Sequence, residues 1–386
     1  MSHVAALAAQ LRATQTRPWT LMEVCGGQTH AIVRWGIDQL LPEGLRLIHG
    51  PGCPVCVTPA TVLDQAQALA RRPEVILCSY GDMLRVPGSA PGEDLLGVRA
   101  AGGDVRLLTS PLQALALARR EPHRQVVFLA VGFETTAPAT ALLALQAEAL
   151  GLGNLSLLVA HVRVPPAMAA ILREPGNQVQ GFLAAGHVGS VMGLAELQPL
   201  ARDHGVPVVM TGFAPEELMA GLLRCVAMLE AGTAGVANAY PSVVREQGNP
   251  GARALLERVF RVVDQPWRGL GVIAAGGLAL RPELAWLDAR QRFALEAYCG
   301  TPAAVEDPCA GEQCSEGPCA EAQCIAGRIL QGRALPSDCP AFGGRCTPEH
   351  PLGAPMVSSE GACAAYHRYR ADKAQARPAM APGGGG

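Results

Sequence analysis

The stretch Val126-Val-Phe-Leu-Ala-Val-Gly-Phe-Glu-Thr-Thr-Ala-Pro138, continued by an Ala/Leu-rich run to Leu150 and then by Leu155-Ser-Leu-Leu-Val-Ala-His161, decides the fold. An apolar run, a short polar turn, a helix opened by proline and a second apolar run make a strand–helix–strand unit. Runs that are apolar on both faces belong to parallel strands covered by helices on each side. The alternation extends in both directions. Strands are expected near residues 21–25, 45–49, 75–80, 105–109, 126–131, 155–161, 181–185 and 206–211. Helices are expected near 31–41, 59–71, 112–120, 138–150, 166–173, 191–202 and 215–231. The pattern predicts an α/β protein of two related α/β domains with mainly parallel sheets, plus a smaller C-terminal domain. Expected borders are 1–124 for the first domain, with Cys25, Cys53 and Cys56, then 125–240 for the second and 241–380 for the third. Residues 381–386 read as a disordered tail.

A chain of 386 residues with a net charge of −2 and dispersed Lys and Arg lacks the basic face of a nucleic-acid binder. Its longest apolar runs are too short to cross a bilayer, and its Ala/Leu-rich start has no secretory cleavage site, so no membrane association is expected. Thirteen cysteines, an odd number, do not suit a secreted disulfide framework. A reducing cytoplasm with thiols that are catalytic or metal-bound is the better expectation.

Several chemistry-bearing residues lie just after predicted strands: Cys25, His49 with Cys53 and Cys56, Asp82, Glu134, His161, His187 and Phe213. That edge of an open α/β sheet is where ligands bind. Cys25 precedes Gly26-Gly-Gln-Thr-His30, where two glycines permit a close backbone approach, so Cys25 is a candidate iron ligand or nucleophile and His30 a group to orient or protonate its ligand. Cys53-Pro-Val-Cys56 places two thiols directly before a helix expected to be capped by Thr58, which suits redox or metal chemistry. Glu134 and His187 sit in polar turns at strand ends, where capping and core packing are the competing readings. Cys78, Cys225 and Cys299 read as packing residues, and His161 has no assigned role.

Seven of the cysteines fall between Cys309 and Cys363. The last four are spaced Cys324-x14-Cys339-x6-Cys346-x16-Cys363, unlike the close ligand pairs of zinc knuckles, whereas an iron–sulfur cluster accepts long spacings. Cys309, Cys314 and Cys319 compete for ligand roles, and spacing alone does not choose among the seven.

The motifs jointly resemble the HypD family of [NiFe]-hydrogenase maturation proteins. They are Met22-Glu-Val-Cys-Gly-Gly-Gln-Thr-His-Ala-Ile, Ile48-His-Gly-Pro-Gly-Cys-Pro-Val-Cys, Gly81-Asp-Met-Leu-Arg-Val-Pro-Gly, Gly132-Phe-Glu-Thr-Thr-Ala-Pro, Gly186-His-Val, Trp267-Arg-Gly-Leu-Gly, Pro336-Ser-Asp-Cys-Pro-Ala-Phe-Gly and Met356-Val-Ser-Ser-Glu-Gly-Ala-Cys-Ala-Ala-Tyr. The resemblance implies a redox-active scaffold on which the Fe(CN)2CO part of the hydrogenase site is assembled, with a small HypC-type chaperone and a HypE-type cyanide donor as partners. It implies a [4Fe-4S] cluster on Cys324, Cys339, Cys346 and Cys363, a redox dithiol at Cys53 and Cys56, and a transient Fe(II) carrying CN and CO on Cys25. His30, Glu134 and His187 would position or protonate ligands. The chain departs from the family pattern at Gln28, where many members carry His, at Ala326, where some carry a second Cys, and in the run from Cys309 to Cys319. The alternatives are a stand-alone iron–sulfur thiol–disulfide reductase and a zinc-stabilised binding module.

Overall fold

A computed structural model describes residues 3–90, 92–295 and 324–374, the last four by their backbone alone. Cys299, Cys309, Cys314, Cys319 and the expected tail 381–386 lie outside the described residues. The strands are β1 (Trp19–Glu23), β2 (Leu45–His49), β3 (Val75–Ser79), β4 (Val105–Leu107), β5 (Gln125–Gly132), β6 (Leu155–His161), β7 (Gly181–Ala185), β8 (Pro207–Thr211), β9 (Gly235–Asn238), β10 (Phe260–Trp267) and β11 (Gly271–Leu280). Two parallel sheets result, one ordered β2-β1-β7-β8-β9 and the other β4-β3-β5-β6. A β10–β11 antiparallel hairpin completes the strand set among the described residues.

The mixed α/β class with mainly parallel sheets is as expected. The sheet membership is not. The expected border at 124/125 falls between β4 and β5, inside the second sheet, while β1 pairs on one side with β2 and on the other with β7, from after residue 180. The first sheet is therefore interrupted in sequence by the whole of the second. Periodicity marks a strand but carries no information on its neighbour, which long-range register decides.

Residues 250–295 also part from the expected third domain. Leu256, Val259, Phe260, Leu278, Leu280 and Leu287 share a core with Ile76, Phe128, Leu155 and Leu157 of the second sheet. The C-terminal cysteines instead occupy their own small core of Ile329, Ala341, Cys346, Met356, Ala362 and Cys363.

The expected helix 191–202 is two helices, Gly186–Met192 and Leu197–His204, broken at Gly193 with φ +75°. A Cβ there would fall 2.3 Å from the Glu246 carbonyl oxygen, so the break needs glycine both for its conformation and for its space. The helix after Cys25 starts at once, as Gly26–Trp35, and ends on left-handed Gly36, whose N–H bonds carbonyls of the last turn. β9 and β10 lie in stretches where the sequence pattern predicts no strand. β9 is short and only partly buried, and Pro266 disrupts the strand pattern of β10.

Candidate functional site

Glu23 ends β1 in the interior, fully shielded from solvent. A buried carboxylate needs donors. Its Oε2 accepts the Cys25 backbone N–H at 2.9 Å, and its Oε1 accepts the Thr29 hydroxyl at 2.5 Å and His49 Nδ1–H at 2.6 Å. The other nitrogen of His49 accepts the Tyr366 hydroxyl at 3.1 Å. Tyr366 lies on the C-terminal helix Ala362–Ala374, three residues after Cys363. A continuous polar chain thus ties the backbone of Cys25 to the helix that carries a C-terminal cysteine.

Cys25 is the N-cap of Gly26–Trp35. Its partly buried thiol is pushed up to about 12, chiefly by burial; the Glu23 and Glu360 carboxylates add to the rise, and N–H groups of Gln28 and Gly27 oppose it. Two glycines bring neighbouring chain onto it. A Cβ on Gly52 would fall 2.3 Å from the Cys25 nitrogen, and the Gly26 N–H bonds the Gly52 carbonyl at 2.8 Å. A Cβ on Gly26 would fall 2.4 Å from Glu360 Cβ. The loop leading into Cys53 and the segment leading into Cys363 both lie directly against Cys25.

Cys53 and Cys56 form a disulfide. Cys53 caps a short helix, Pro54–Val57, and its Sγ accepts the Cys56 N–H at 3.1 Å. The longer helix expected to be capped by Thr58 starts at Ala60 with Pro59 as its cap. Both sulfurs belong to residues 3% and 0% exposed. They sit in the core with Met22, Phe133 and Trp267, away from water.

The remaining expected residues part ways. The exposed His187 ring stacks on Phe213 at 4.0 Å between centroids, and a Cβ on Gly27 would fall 3.0 Å from the Phe213 ring and 3.8 Å from Cys25 Sγ. His187 and Phe213 therefore form a wall beside Cys25. The backbone N–H of Phe213 is fixed by Glu217 Oε2 at 2.8 Å. His30 is engaged on the other side of its helix: Nδ1–H donates to the Ser359 carbonyl and Nε2 accepts the Tyr369 hydroxyl, at 3.3 and 3.0 Å.

Glu134 is buried with Oε1 accepting the Val164 N–H at 3.0 Å, and its Oε2 is among the buried oxygens that find no partner. Burial pushes its carboxyl up to about 7. It faces a separate pocket shared with Arg163, Met192, Glu196 and Phe260. Gln28 cross-links sheet ends, its amide donating to the carbonyls of Ala184 and Thr211. His161 is a core histidine bonded to Thr140 and Gly132. Cys78 and Cys225 are buried packing residues, as expected.

Cys324, Cys339, Cys346 and Cys363 line one small apolar cavity with Ile329, Phe342 and Met356. Cys363 is raised well above the usual thiol range, first by burial and then by the charges of the other three. The Leu352 N–H points at Cys346 Sγ at 3.3 Å, and a Cβ on Gly353 would fall 2.7 Å from Cys324 Sγ. Spacing left seven cysteines in contention; the fold groups these four. Among the described residues, no three His, Cys, Asp or Glu side chains are set to hold a single metal ion, and no helix is long and apolar enough to cross a membrane.

Three contributors went unsingled in the sequence: Glu23, Tyr366 and Glu360. Glu23 had a signal, a lone carboxylate at the end of a mostly apolar strand.

A family model described as the HypD, "Hydrogenase formation hypA family" model matches residues 2–370. The chain is 48% identical over 364 residues to the hydrogenase expression/formation protein HupD of Azotobacter chroococcum mcd 1, covering 92% of this chain and 91% of that one. It is 44% identical to the hydrogenase maturation factor HypD of Rhodobacter capsulatus, over 96% of this chain and 94% of the relative. With the factor of the same name from Escherichia coli strain K12 the identity is 41%, over 97% and 96%.

Proposed function

Because the chain belongs to the HypD family of hydrogenase maturation factors, we propose that it is the scaffold on which the Fe(CN)2CO unit of a [NiFe]-hydrogenase is assembled. It works in the cytoplasm with a small HypC-type chaperone and a HypE-type cyanide donor. The observation that carries this reading is the meeting of three cysteine sets. The Gly52–Cys56 loop lies on Cys25, and the segment bearing Cys363 packs beside Cys25 through Glu360.

Cys25 Sγ binds the substrate iron at the end of a strand where ligands of α/β sheets are held; the thiol, protonated while empty, would give up its proton to solvent as the iron's charge makes it a soft thiolate ligand. Phe213 and His187 close one side and restrict water there. His187 is the expected residue best placed to position incoming ligands or accept protons beside them; partial desolvation lowers its pKa, which favours the neutral imidazole. His30 acts as a positioning residue through Ser359 and Tyr369. Glu134 holds the chain at Val164.

The four C-terminal cysteines fit a [4Fe-4S] cluster: the donors are all thiols, the walls are apolar, and a backbone N–H is aimed at one sulfur. They stand around a cavity rather than converging on one ion, which suits one thiolate per iron. Such a cluster supplies electrons one at a time. The Cys53–Cys56 disulfide stores a pair: taking up two electrons and two protons, it breaks one S–S bond and gives two thiols. Its burial ill suits a stand-alone reductase that must admit a dithiol substrate.

Cys25→Ala is expected to abolish retention of iron and of the Fe–CN and Fe–CO infrared bands in the complex with the chaperone, while the visible absorption of the cluster persists. Unchanged infrared bands in that variant sink the assignment of Cys25. A protein purified without oxygen that contains zinc, and neither iron nor sulfide, sinks the cluster.

A further inference from the structure

Arg268 takes no part in the site described above, yet the chain goes to some length to place it. The turn after β10 runs Trp267-Arg-Gly-Leu-Gly271, and Trp267 is 1% exposed, its indole N–H bonded to the Gly276 carbonyl. Gly269, at φ +78°, packs so closely on the helix Ala326–Leu330 that a Cβ would fall 2.8 Å from Gly327 Cα. Gln331 fastens the same turn by donating to the Gly269 carbonyl at 2.9 Å. The turn is thereby docked on the first helix after Cys324.

Its other side is docked on the disulfide. The Arg268 N–H donates to the carbonyl of Val57, the residue after Cys56, at 2.8 Å. The guanidinium donates through Nη2 to the Pro87 carbonyl at 2.9 Å, and the acidic groups acting on it are Asp64 and the Cys324 thiol. Burial draws its pKa down to about 10, so the group stays charged at neutral pH. A cation held in a desolvated place between two redox elements acts on both more strongly than it would in water.

We infer that Arg268 is a positioning residue for electron delivery, a fixed positive charge beside Cys324 that raises the reduction potential of the C-terminal cluster and holds the Cys53–Cys56 helix against it. The inference rests on the reading of the four-cysteine cavity as a cluster site. Each added electron makes the cluster more negative, and a nearby fixed cation favours that state. In the test below the electron comes from a chemical reductant through dissolved mediators.

The experiment is a redox titration, followed by electron paramagnetic resonance, of the full chain purified and reconstituted without oxygen. Failure of the unaltered protein to hold four irons and four sulfides overturns the cluster reading itself, and that result is separate from any effect of Arg268. With the cluster present, Arg268→Gln is expected to lower the equilibrium constant for reduction about tenfold, which is ~59 mV for one electron. Arg268→Lys is expected to recover more than half of that loss. Asp64→Asn, which removes the opposing carboxylate, is expected to move the constant the other way by about threefold. A purely structural role gives no such pair of opposite shifts. If Arg268→Gln fails to hold a cluster, the Lys and Asn variants decide. Equal potentials in all cluster-bearing variants overturn the inference.

Discussion

His161 shows how one buried side chain gives the fold a pH dependence. It is fully buried, and burial lowers its pKa from 6.5 to about 4, while its ring nitrogens are satisfied by Thr140 and Gly132. The unfolded chain takes up a proton at about pH 6.5 that the native state refuses until about pH 4. Its contribution is therefore fully present above pH 6.5 and is lost as pH falls toward 4, by up to about 3 kcal/mol. His161→Gln, which keeps a partner for Thr140, is expected to flatten the acid limb of stability, read as the urea midpoint at pH 7 and at pH 4.5. An unchanged slope assigns the limb to other groups. Glu134 works in the opposite sense, because its raised pKa makes the native state hold a proton that the unfolded chain has given up.

At the scale of elements, the Cys25 site is a junction of a strand end, a helix start and a loop, and glycines set the distances between them. Gly52→Ala is expected to push the loop bearing Cys53 off Cys25, because the atoms a Cβ would meet are backbone nitrogen and carbon that cannot swing aside. A destabilisation of about 1–3 kcal/mol follows from such overpacking. Retention of iron at Cys25 should fall with it while the cluster absorption stays, as checked by chemical denaturation and infrared spectra. Full stability and unaltered bands argue that the contact is slack. This junction was partly legible beforehand: Cys25, its glycines and the Cys53–Cys56 pair stand at predicted strand ends. Their mutual contact was not, because β1 and β2 become neighbours through pairing that no local pattern encodes. Tyr366 and Glu360 were hidden for the same reason, arriving from more than 300 residues away. Glu134 faces a different pocket from Cys25, and its strand-end position could fix only the edge of the sheet, not which pocket along it is faced.

At the scale of the molecule, the nesting of one sheet inside the sequence of the other determines what can be cut. Fragment 1–124 holds β4-β3 without β5-β6 and β2-β1 without β7-β8-β9, and fragment 125–386 holds the complementary pieces. Expressed separately they are expected to lack cooperative unfolding and to aggregate through their unpaired edges, as followed by circular dichroism and light scattering. A folded, monomeric 1–124 fragment would contradict the topology. The same nesting governs the order of events during synthesis. β1 ends at Glu23 and its partner β7 begins at Gly181, so about 160 residues separate partners that must meet. At ribosomal speeds of about 5–20 residues per second, the first two strands wait roughly ten seconds for their sheet. Cys25 waits longer still, because Gly52, Phe213 and Glu360 reach it in that order. The surroundings of that thiol are complete only after residue 360 has been made, so the pocket around Cys25 is assembled late in synthesis rather than alongside its own strand.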